Sequence, residues 1–433
     1  MHSTGFPQTS GVGGSHQRKL IGLMMSLFFA FGFCTVLVDT LIPKLKAMFQ
    51  LSYAEVMLTQ FCFFLAYFIV SVPAGWLLTK IGYLRGVTLG LLVMAAGCLL
   101  FTPAALLGTY PGFLGALFIL AAGVTTVQVA ANPMTTSLGD PTKSHSRLTL
   151  AQAFNSLATV AGGLFGAKLI LGNSVALPDP STLSAVALTA LRKQEAHAVQ
   201  LPFFGIALAL LALAALCWAV RKWAPEAKAQ PMGASLRLLK NSRLALGAVS
   251  IFAYVGAEVS IGSAIINYLM EGRVLGLAAQ TAGSLVSVYW GLAMVGRFIG
   301  AGALRRLRPG WVLAGCAVGA GTLAAISGLS SGMVAAVTIL AIGLFNSIMF
   351  PTIFTLAIED LGEETPQGSG ILCLAIVGGA VVPLATGLAA DRFGLSLALF
   401  VPVICYVWIA VYGWLTARGP SKALVAPLGE VLG

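Results

Sequence analysis

Residues 112–137 read Gly112-Phe-Leu-Gly-Ala-Leu-Phe-Ile-Leu-Ala-Ala-Gly-Val-Thr-Thr-Val-Gln-Val-Ala-Ala-Asn-Pro-Met-Thr-Thr-Ser137 and contain no charged side chain. An apolar stretch of about 20 residues is long enough to cross the hydrocarbon core of a bilayer as an α-helix. Pro133 lies within the stretch, and membrane helices contain proline more often than soluble helices do. The stretch therefore predicts a transmembrane helix.

Eleven further apolar runs of similar length occur along the chain. They cover residues 20–42, 54–78, 84–106, 148–171, 199–222, 244–270, 281–303, 311–328, 333–358, 367–389 and 395–416. The composition agrees, because the 433 residues are 58% hydrophobic and only 9% charged, whereas soluble domains carry about 25% charged residues. We therefore predict an all-α membrane protein with twelve transmembrane helices.

A basic connection at residues 223–243 divides the predicted helices into two groups of six. Short motifs recur in both groups, since Gly75 stands five residues before Lys80 and Gly300 stands five before Arg305. Such repeats favour two pseudo-symmetric six-helix bundles built from one duplicated unit. The predicted segments are a tail at 1–19, an N-terminal bundle at 20–222, a linker at 223–243, a C-terminal bundle at 244–416 and a tail at 417–433.

The distribution of basic residues predicts the orientation of the helices. Most of the 25 Lys and Arg residues fall in segments that share a side of the membrane with the N-terminus. Cytoplasmic loops carry such an excess of positive charge, so both termini are predicted to be cytoplasmic. The same rule accounts for the net charge of +11 without a nucleic-acid partner.

Four polar side chains fall at membrane depth, namely Asp39, Gln128, Glu258 and Asn346. A charge at the centre of a bilayer costs about 2.5–3.5 kcal/mol on insertion scales, so such groups face water or one another. In chain order they occupy helices 1, 4, 7 and 10, which are equivalent positions if each bundle is itself a repeat of three helices. We expect them to share a central polar cavity.

Asp39 and Glu258 are the ionisable members of this set. We interpret Asp39 as a titratable carboxylate that couples a proton or a bound cation to transport, and Glu258 as a second ion-coupling residue. For Asp39 the alternative is a carboxylate at the end of a helix, paired with Lys44 or Lys46. For Glu258 the alternative is a structural ion pair or a hydrogen bond between helices.

Further amides and hydroxyls lie at the start of the predicted fifth helix. Gln152, Asn155 and Ser156 share one face at i, i+3 and i+4 spacing. Neutral donors and acceptors of this kind suit the hydroxyl groups of a sugar, and aromatic rings such as Trp290 offer flat surfaces to a pyranose. For the amides the alternative is hydrogen bonding between helices. The predicted substrate-binding residues are Gln128, Gln152, Asn155, Glu258, Asn267 and Asn346.

Acidic residues cluster after the predicted tenth helix, on the side assigned to the cytoplasm. Glu359 is the first of them, and Arg147 and Arg297 lie towards the same side. We expect these three residues to gate the cavity by forming and breaking ion pairs, with Arg305 as a further partner. The alternative is a solvated charged loop, since exposed ion pairs contribute little to stability.

Several stretches resemble one family of membrane proteins. The longest is Arg147-Leu-Thr-Leu-Ala-Gln-Ala-Phe-Asn-Ser156, which follows Gln128-Val-Ala-Ala-Asn-Pro133. The others are Asp39-Thr-Leu-Ile-Pro43, Val72-Pro-Ala-Gly75, Tyr254-Val-Gly-Ala-Glu-Val-Ser-Ile-Gly-Ser263, and Phe350-Pro351 with Glu359-Asp-Leu-Gly362. In these stretches the chain resembles the major facilitator superfamily, and within it the L-fucose–proton symporter group that includes bacterial glucose/galactose transporters.

The resemblance implies the major facilitator fold and hexose uptake, coupled to an ion gradient, across a bacterial inner membrane. In the fucose symporter the position of Asp39 carries a carboxylate, and the positions of Gln152 and Asn155 belong to the sugar site. The position of Gln128 is a glutamate there, so the neutral residue in this chain argues against a simple copy of a two-carboxylate proton mechanism. The stretch around Glu258 is more similar to the glucose/galactose branch.

The residues and the resemblance together predict a secondary active transporter that imports glucose or galactose by alternating access, coupled to protons in preference to sodium ions. Symport of N-acetylglucosamine or L-fucose, facilitative sugar transport, and a membrane sugar receptor without transport remain alternatives. An enzyme is not expected, because the apolar runs contain no histidine and no convincing nucleophile–base pair. By resemblance we expect a monomer in the lipid bilayer that needs no cofactor and no metal.

Overall fold

Helices form nearly all of the chain that the structure describes. The structure is a computed structural model, and it describes residues 14–49, 53–107, 109–162, 185–224 and 237–418. The helices of the N-terminal bundle are α1 (Gly14–Phe49), α2 (Tyr53–Ile81), α3 (Tyr83–Leu107), α4 (Tyr110–Ser137), α5 (Ser144–Ala161) and α6 (Ala185–Ala219).

The C-terminal bundle contains three crossings that are divided into two helical segments, marked here by letters. Its helices are α7 (Ser242–Met270), α8 (Ala279–Ala303), α9 (Pro309–Leu329), α10a (Gly332–Asn346), α10b (Met349–Ile358), α11a (Thr365–Leu374), α11b (Gly378–Phe393), α12a (Leu395–Ala398) and α12b (Phe400–Arg418).

Eleven helical spans of the described chain have the length and hydropathy needed to cross a membrane. The helix α5 is not among them, because its described residues, Ser144–Ala161, are too polar. The apolar run continues to residue 171, beyond Gly162, where the described part of this region ends. The prediction of an all-α membrane protein is confirmed. Successive crossings alternate in direction, so the start of α1 and the end of α12b lie on one side, called the terminal side below.

The helix α6 is longer than its apolar run. The sequence predicts a run that starts at residue 199, but α6 begins at Ala185. The additional turns are rich in Ala and Leu and include Lys and Glu, which are all strong helix formers. Hydropathy marks only the part of a helix that is compatible with lipid, so a helix that continues beyond the membrane cannot be recognised from hydropathy alone.

Two prolines, one in each bundle, free a backbone carbonyl. Proline has no N–H and cannot donate to the carbonyl four residues earlier in a helix. Pro133 in α4 therefore leaves the Val129 carbonyl without its usual partner. Pro351 in α10b does the same for Ser347, which lies where the tenth crossing is interrupted. Both carbonyls accept hydrogen bonds from side chains at the contact between the bundles, as described below.

The helices α3 and α4 pack at close range because a glycine faces the contact. A Cβ atom on Gly97 of α3 would lie 2.5 Å from the backbone nitrogen of Leu120 in α4. Small residues allow membrane helices to approach each other closely. The packing of these two helices therefore depends on the absence of a side chain at this position.

Replacing Gly97 by alanine is expected to destabilise the N-terminal bundle by about 1–3 kcal/mol, because the added methyl group overpacks a tight contact. Thermal unfolding of the purified protein in detergent measures this change. Gly115→Ala in α4 is the matched control, since open space surrounds a Cβ atom built at that position. Equal unfolding temperatures for the two variants would contradict the prediction.

Candidate functional site

A cavity of about 570 Å³ lies between the two bundles. The helices α1, α2, α4 and α5 form one wall, and α7 and α8 form the other. The described polar residues that line it are Thr35, Gln128, Asn155, Ser156, Thr159, Glu258, Ser287 and Arg297. Phe63, Tyr67 and Trp290 add aromatic surface. The cavity thus combines neutral hydrogen-bonding groups with a carboxylate and a guanidinium at the contact between the bundles.

Glu258 lies in the α7 wall of the cavity. Its Oε1 atom accepts a hydrogen bond of 2.7 Å from the hydroxyl of Tyr254, one helical turn earlier. Arg297 on α8 lines the same cavity. The bond from Tyr254 fixes the Glu258 carboxyl group in the cavity wall, where it is positioned to hydrogen-bond to a polar ligand.

Amides from α4 and α5 belong to the opposite wall. The Nδ2 atom of Asn155 donates to the carbonyl of Phe28 in α1 over 3.2 Å, which fixes this side chain against α1. Gln128 is half-buried, and its Oε1 atom has no hydrogen-bond partner within the described chain. An unpaired buried acceptor is unfavourable. Because Gln128 lines the cavity, its amide group is a candidate partner for a ligand hydroxyl.

Arg297 joins the two bundles on the terminal side of the cavity. From α8, its Nη1 atom donates to the backbone carbonyl of Gln152 in α5 over 3.2 Å and also to the hydroxyl of Ser156. Its Nε atom donates over 3.2 Å to the Ser347 carbonyl, which is the group freed by Pro351. The Arg297 side chain thus supplies a donor to the free carbonyl in the tenth crossing and also holds α5 against α8.

The other carbonyl freed by a proline is bound from the opposite bundle. The hydroxyl of Ser369 in α11a donates to the Val129 carbonyl in α4 over 2.8 Å. The helices α2 and α11a approach closely beside it, since a Cβ atom on Gly370 would lie 2.7 Å from the carbonyl oxygen of Ser71. These contacts close the cavity towards the terminal side.

The structure brings four of the residues predicted from the sequence into one site. Gln128, Asn155, Glu258 and Arg297 all line the cavity. Gln152 is buried beside it and contributes its backbone carbonyl, rather than its amide, to the contact with Arg297. The face of α5 that was predicted from its spacing therefore does point towards the contact with the other bundle.

Two of the predicted residues lie outside the cavity, and a third cannot be assigned from the described side chains. Asn346 is fully buried and donates to the hydroxyl of Tyr289 over 2.8 Å, so it connects α10a to α8 and does not line the cavity. Asn267 is exposed near the end of α7 and does not line the cavity either. Asp39 belongs to α1, but its side chain lies outside the part of the chain whose side chains the structure describes.

Several lining residues were not predicted from the sequence. Thr159 follows Asn155 by one helical turn, so the periodicity of α5 was a signal for it. Thr35, Tyr67 and Ser287 lie in α1, α2 and α8. Nothing in these runs distinguishes the face towards the cavity from the faces towards lipid or neighbouring helices, because hydroxyl groups are tolerated on all of them.

The acidic cluster after α10b is held by Arg243, a residue that the sequence assigns to the linker. Its Nη2 atom donates to Oε2 of Glu359, and its Nη1 atom lies 3.5 Å from Asp360. The Arg243 side chain is only 7% exposed, so the pair is largely buried. His145, in the first turn of α5, lies 3.6 Å from Glu359. Burial and the charges of Arg243 and Arg147 lower the pKa of His145 to about 3, so it is neutral near pH 7.

The expected ion pairs of Glu359 with Arg297 or Arg147 do not form in this structure. Arg147 instead donates to the carbonyls of Thr135, Thr136 and Asp140 at the end of α4, over 2.6–3.2 Å. Basic side chains often occupy such positions, because the last carbonyls of a helix lack backbone partners. Sequence alone could not reveal this use of Arg147, since it depends on how the turn between α4 and α5 folds back.

Two helical bundles that enclose a polar cavity, closed towards one side of the membrane, define a solute transporter. The family model of the Major Facilitator Superfamily matches residues 23–375, and the chain belongs to this superfamily. The chain is 50% identical over 395 residues to a glucose/galactose transporter of Brucella abortus biovar 1 (strain 9-941). The alignment covers 90% of this chain and 92% of the relative.

Two further comparisons agree. The chain is 35% identical over 408 residues to the L-fucose-proton symporter of Escherichia coli (strain K12), with 90% of this chain and 91% of the relative covered. It is also similar to the crystal structure of the superfamily transporter FucP in the outward conformation, with a TM-score of 0.85 and 32% identity over 92% of this chain and 99% of that chain. The protein is therefore a sugar transporter and not an enzyme.

Proposed function

We propose that this protein imports a hexose, glucose or galactose first, by alternating access, and that protons rather than sodium ions drive the uptake. The terminal side is assigned to the cytoplasm, because basic residues concentrate at the helix ends on that side. The protein is placed in the bacterial inner membrane, where it acts as a monomer. In this assignment the structure is the state that is closed towards the cytoplasm.

The cavity between the bundles is the observation that carries this proposal. Its amides and hydroxyls supply neutral donors and acceptors, and Glu258 supplies a strong acceptor. Trp290 offers an aromatic surface to the apolar face of a sugar ring. A volume of about 570 Å³ falls within the usual size of small-molecule sites. The name of the Brucella relative supports glucose and galactose as the first substrates to test.

Asp39 is proposed as the main ion-coupling residue, with Glu258 as the second. Thr35 of α1 lines the cavity, and position 39 follows it at i+4 spacing in the same helix. Residues at i and i+4 lie on one face of a helix. The sequence spacing from Thr35 is therefore compatible with the proposed role of Asp39.

Uptake into proteoliposomes tests the proposal. Vesicles that contain the purified protein are expected to accumulate radiolabelled glucose when an inward proton gradient is imposed, but not with a sodium gradient alone. Unlabelled galactose is expected to compete, and N-acetylglucosamine and L-fucose are not. Equilibration without accumulation would favour a facilitative carrier, and binding without exchange would favour a receptor.

Replacing Asp39 by asparagine is expected to abolish accumulation while exchange of internal for external glucose continues. Asparagine has a similar shape but cannot release or bind the proton. Asp140→Asn is the matched control, since this carboxylate lies in an exposed turn on the terminal side, and it is expected to accumulate glucose normally. Concentrative uptake by Asp39→Asn with unchanged pH dependence would remove Asp39 from the assigned role.

A further inference from the structure

A second cavity opens between α1 and α6, away from the sugar site. It has a volume of about 730 Å³, and its described lining includes Phe29, Phe33, Leu210 and Leu213. None of the described lining residues is charged or carries an amide or hydroxyl group. A cavity without polar groups cannot recognise a sugar, but it favours hydrocarbon by the hydrophobic effect. We call this cavity the α1–α6 crevice.

The same two helices carry a basic cluster at their terminal-side ends. Arg18 and Lys19 lie at the start of α1, and Arg221 and Lys222 directly follow α6. Lys19 is 5.9 Å from the centre of the Trp223 ring, which brings the two helix ends together. Within the described chain, none of the four cations forms an ion pair with a carboxylate. We call these four residues the basic end.

Tryptophan side chains place the basic end at the membrane–water interface. The guanidinium carbon of Arg221 lies 4.2 Å from the centre of the Trp218 ring, and its Nη1 atom donates to the Trp218 carbonyl over 2.7 Å. Tryptophan is enriched at the depth of the lipid headgroups. Cations at this depth, between two transmembrane helices, are positioned to bind the phosphate of an anionic headgroup.

The spacing between the basic end and the near end of the crevice matches one leaflet of a bilayer. Arg18 and Phe29 are eleven residues apart in α1, which corresponds to about 16 Å at 1.5 Å per residue. Half of a hydrocarbon core of about 30 Å is about 15 Å. Between them, Gly22 and Ser26 are exposed, and nothing lies within 4 Å of a Cβ atom built on Gly22. An acyl chain can therefore lie along this face of α1 and reach the crevice.

We propose that one phospholipid with an anionic headgroup binds between α1 and α6, with its phosphate at the basic end and an acyl chain in the α1–α6 crevice. The four cations have no neighbouring carboxylate in the described part of the chain, so their positive charge attracts a ligand of net negative charge. An anionic headgroup is therefore bound in preference to a zwitterionic one. The crevice selects a lipid over a free phosphate, because only a lipid fills both parts of the site. This lipid site is independent of the proposed sugar specificity.

Native mass spectrometry of the purified transporter tests the headgroup half of the site. Phosphatidylglycerol is expected to bind more tightly than phosphatidylcholine. The double variant Lys19→Gln/Arg221→Gln is expected to weaken phosphatidylglycerol binding by about tenfold or more. The control double variant Lys80→Gln/Arg418→Gln also removes two terminal-side cations stacked on tryptophan rings, but these lie on α2 and α12b, and it is expected to bind as the wild type does.

A second pair of variants tests the acyl-chain half. Ala209 lines the crevice and is exposed, and it stands twelve residues before Arg221, about 18 Å along α6. Ala209→Leu fills the near end of the crevice without touching the cations and is expected to weaken phosphatidylglycerol binding by about tenfold. Gly387→Leu, at an open position on α11b, is expected to leave it unchanged. Equal losses in the two double variants, full binding by Ala209→Leu, or equal competition by glycerol phosphate would each overturn the proposal.

Discussion

Replacing Glu258 by glutamine is expected to lower kcat/KM for glucose uptake by about 10- to 100-fold. Glutamine preserves the size of the side chain but removes its charge, and a hydrogen bond to a charged group contributes about 1.5–3 kcal/mol. Initial rates of uptake into proteoliposomes, measured over a range of glucose concentrations, give this ratio.

Two further variants separate binding from a structural role. Glu258→Asp keeps the charge and is expected to recover part of the activity. Glu271→Gln is the matched control at the far end of α7, where the carboxylate lies 3.9 Å from Arg273 near the surface, and it is expected to transport normally. If Glu258→Gln unfolded at a lower temperature but kept wild-type kinetics, Glu258 would be a structural residue and not part of the sugar site.

Replacing Arg243 by alanine is expected to destabilise the protein by about 3–5 kcal/mol, because removing one partner leaves a largely buried charge unpaired. The remaining neighbour of Glu359 is His145, which is neutral near pH 7 and therefore supplies no compensating charge. Thermal unfolding in detergent measures the loss. We propose that the Arg243–Glu359 pair shapes the loop after α10b, and that this loop takes part in gating where it meets α5.

Lys143→Ala is the matched control for Arg243→Ala. Lys143 also pairs with a carboxylate, that of Asp140 at 3.5 Å, but the two side chains are 59% and 46% exposed. Exposed pairs contribute about 0–1 kcal/mol. The double variant Arg243→Met/Glu359→Leu removes both charges and is expected to regain much of the stability that Arg243→Ala loses. If Arg243→Ala and Lys143→Ala lost the same free energy of unfolding, the buried pair would contribute no more to stability than the exposed one.

The membrane-spanning architecture could be predicted from the sequence because each apolar run reports on its own compatibility with lipid. Features that depend on the backbone outside the bilayer could not be predicted in this way. The early start of α6 at Ala185 is one example. The interruption of the tenth crossing near Ser347 is another, since a proline in a membrane helix does not by itself show where the helix is broken.

The depth of the site residues could also be predicted, but their direction could not. Gln128, Asn155 and Glu258 lie well inside apolar runs, and they line one cavity. Asn346 lies at comparable depth, yet it is turned towards Tyr289 and buried. Position along a helix follows from counting residues, whereas the direction of a side chain around the helix depends on which neighbours pack against it.

The proline in α4 has a consequence for the opposite conformation. The proposed alternating access requires the bundles to separate on the terminal side, which would break the hydrogen bond from Ser369 to the Val129 carbonyl. Pro133 supplies no backbone amide to replace this donor. In the open conformation, water entering the gap would hydrogen-bond to this backbone oxygen, so hydration would offset part of the lost contact.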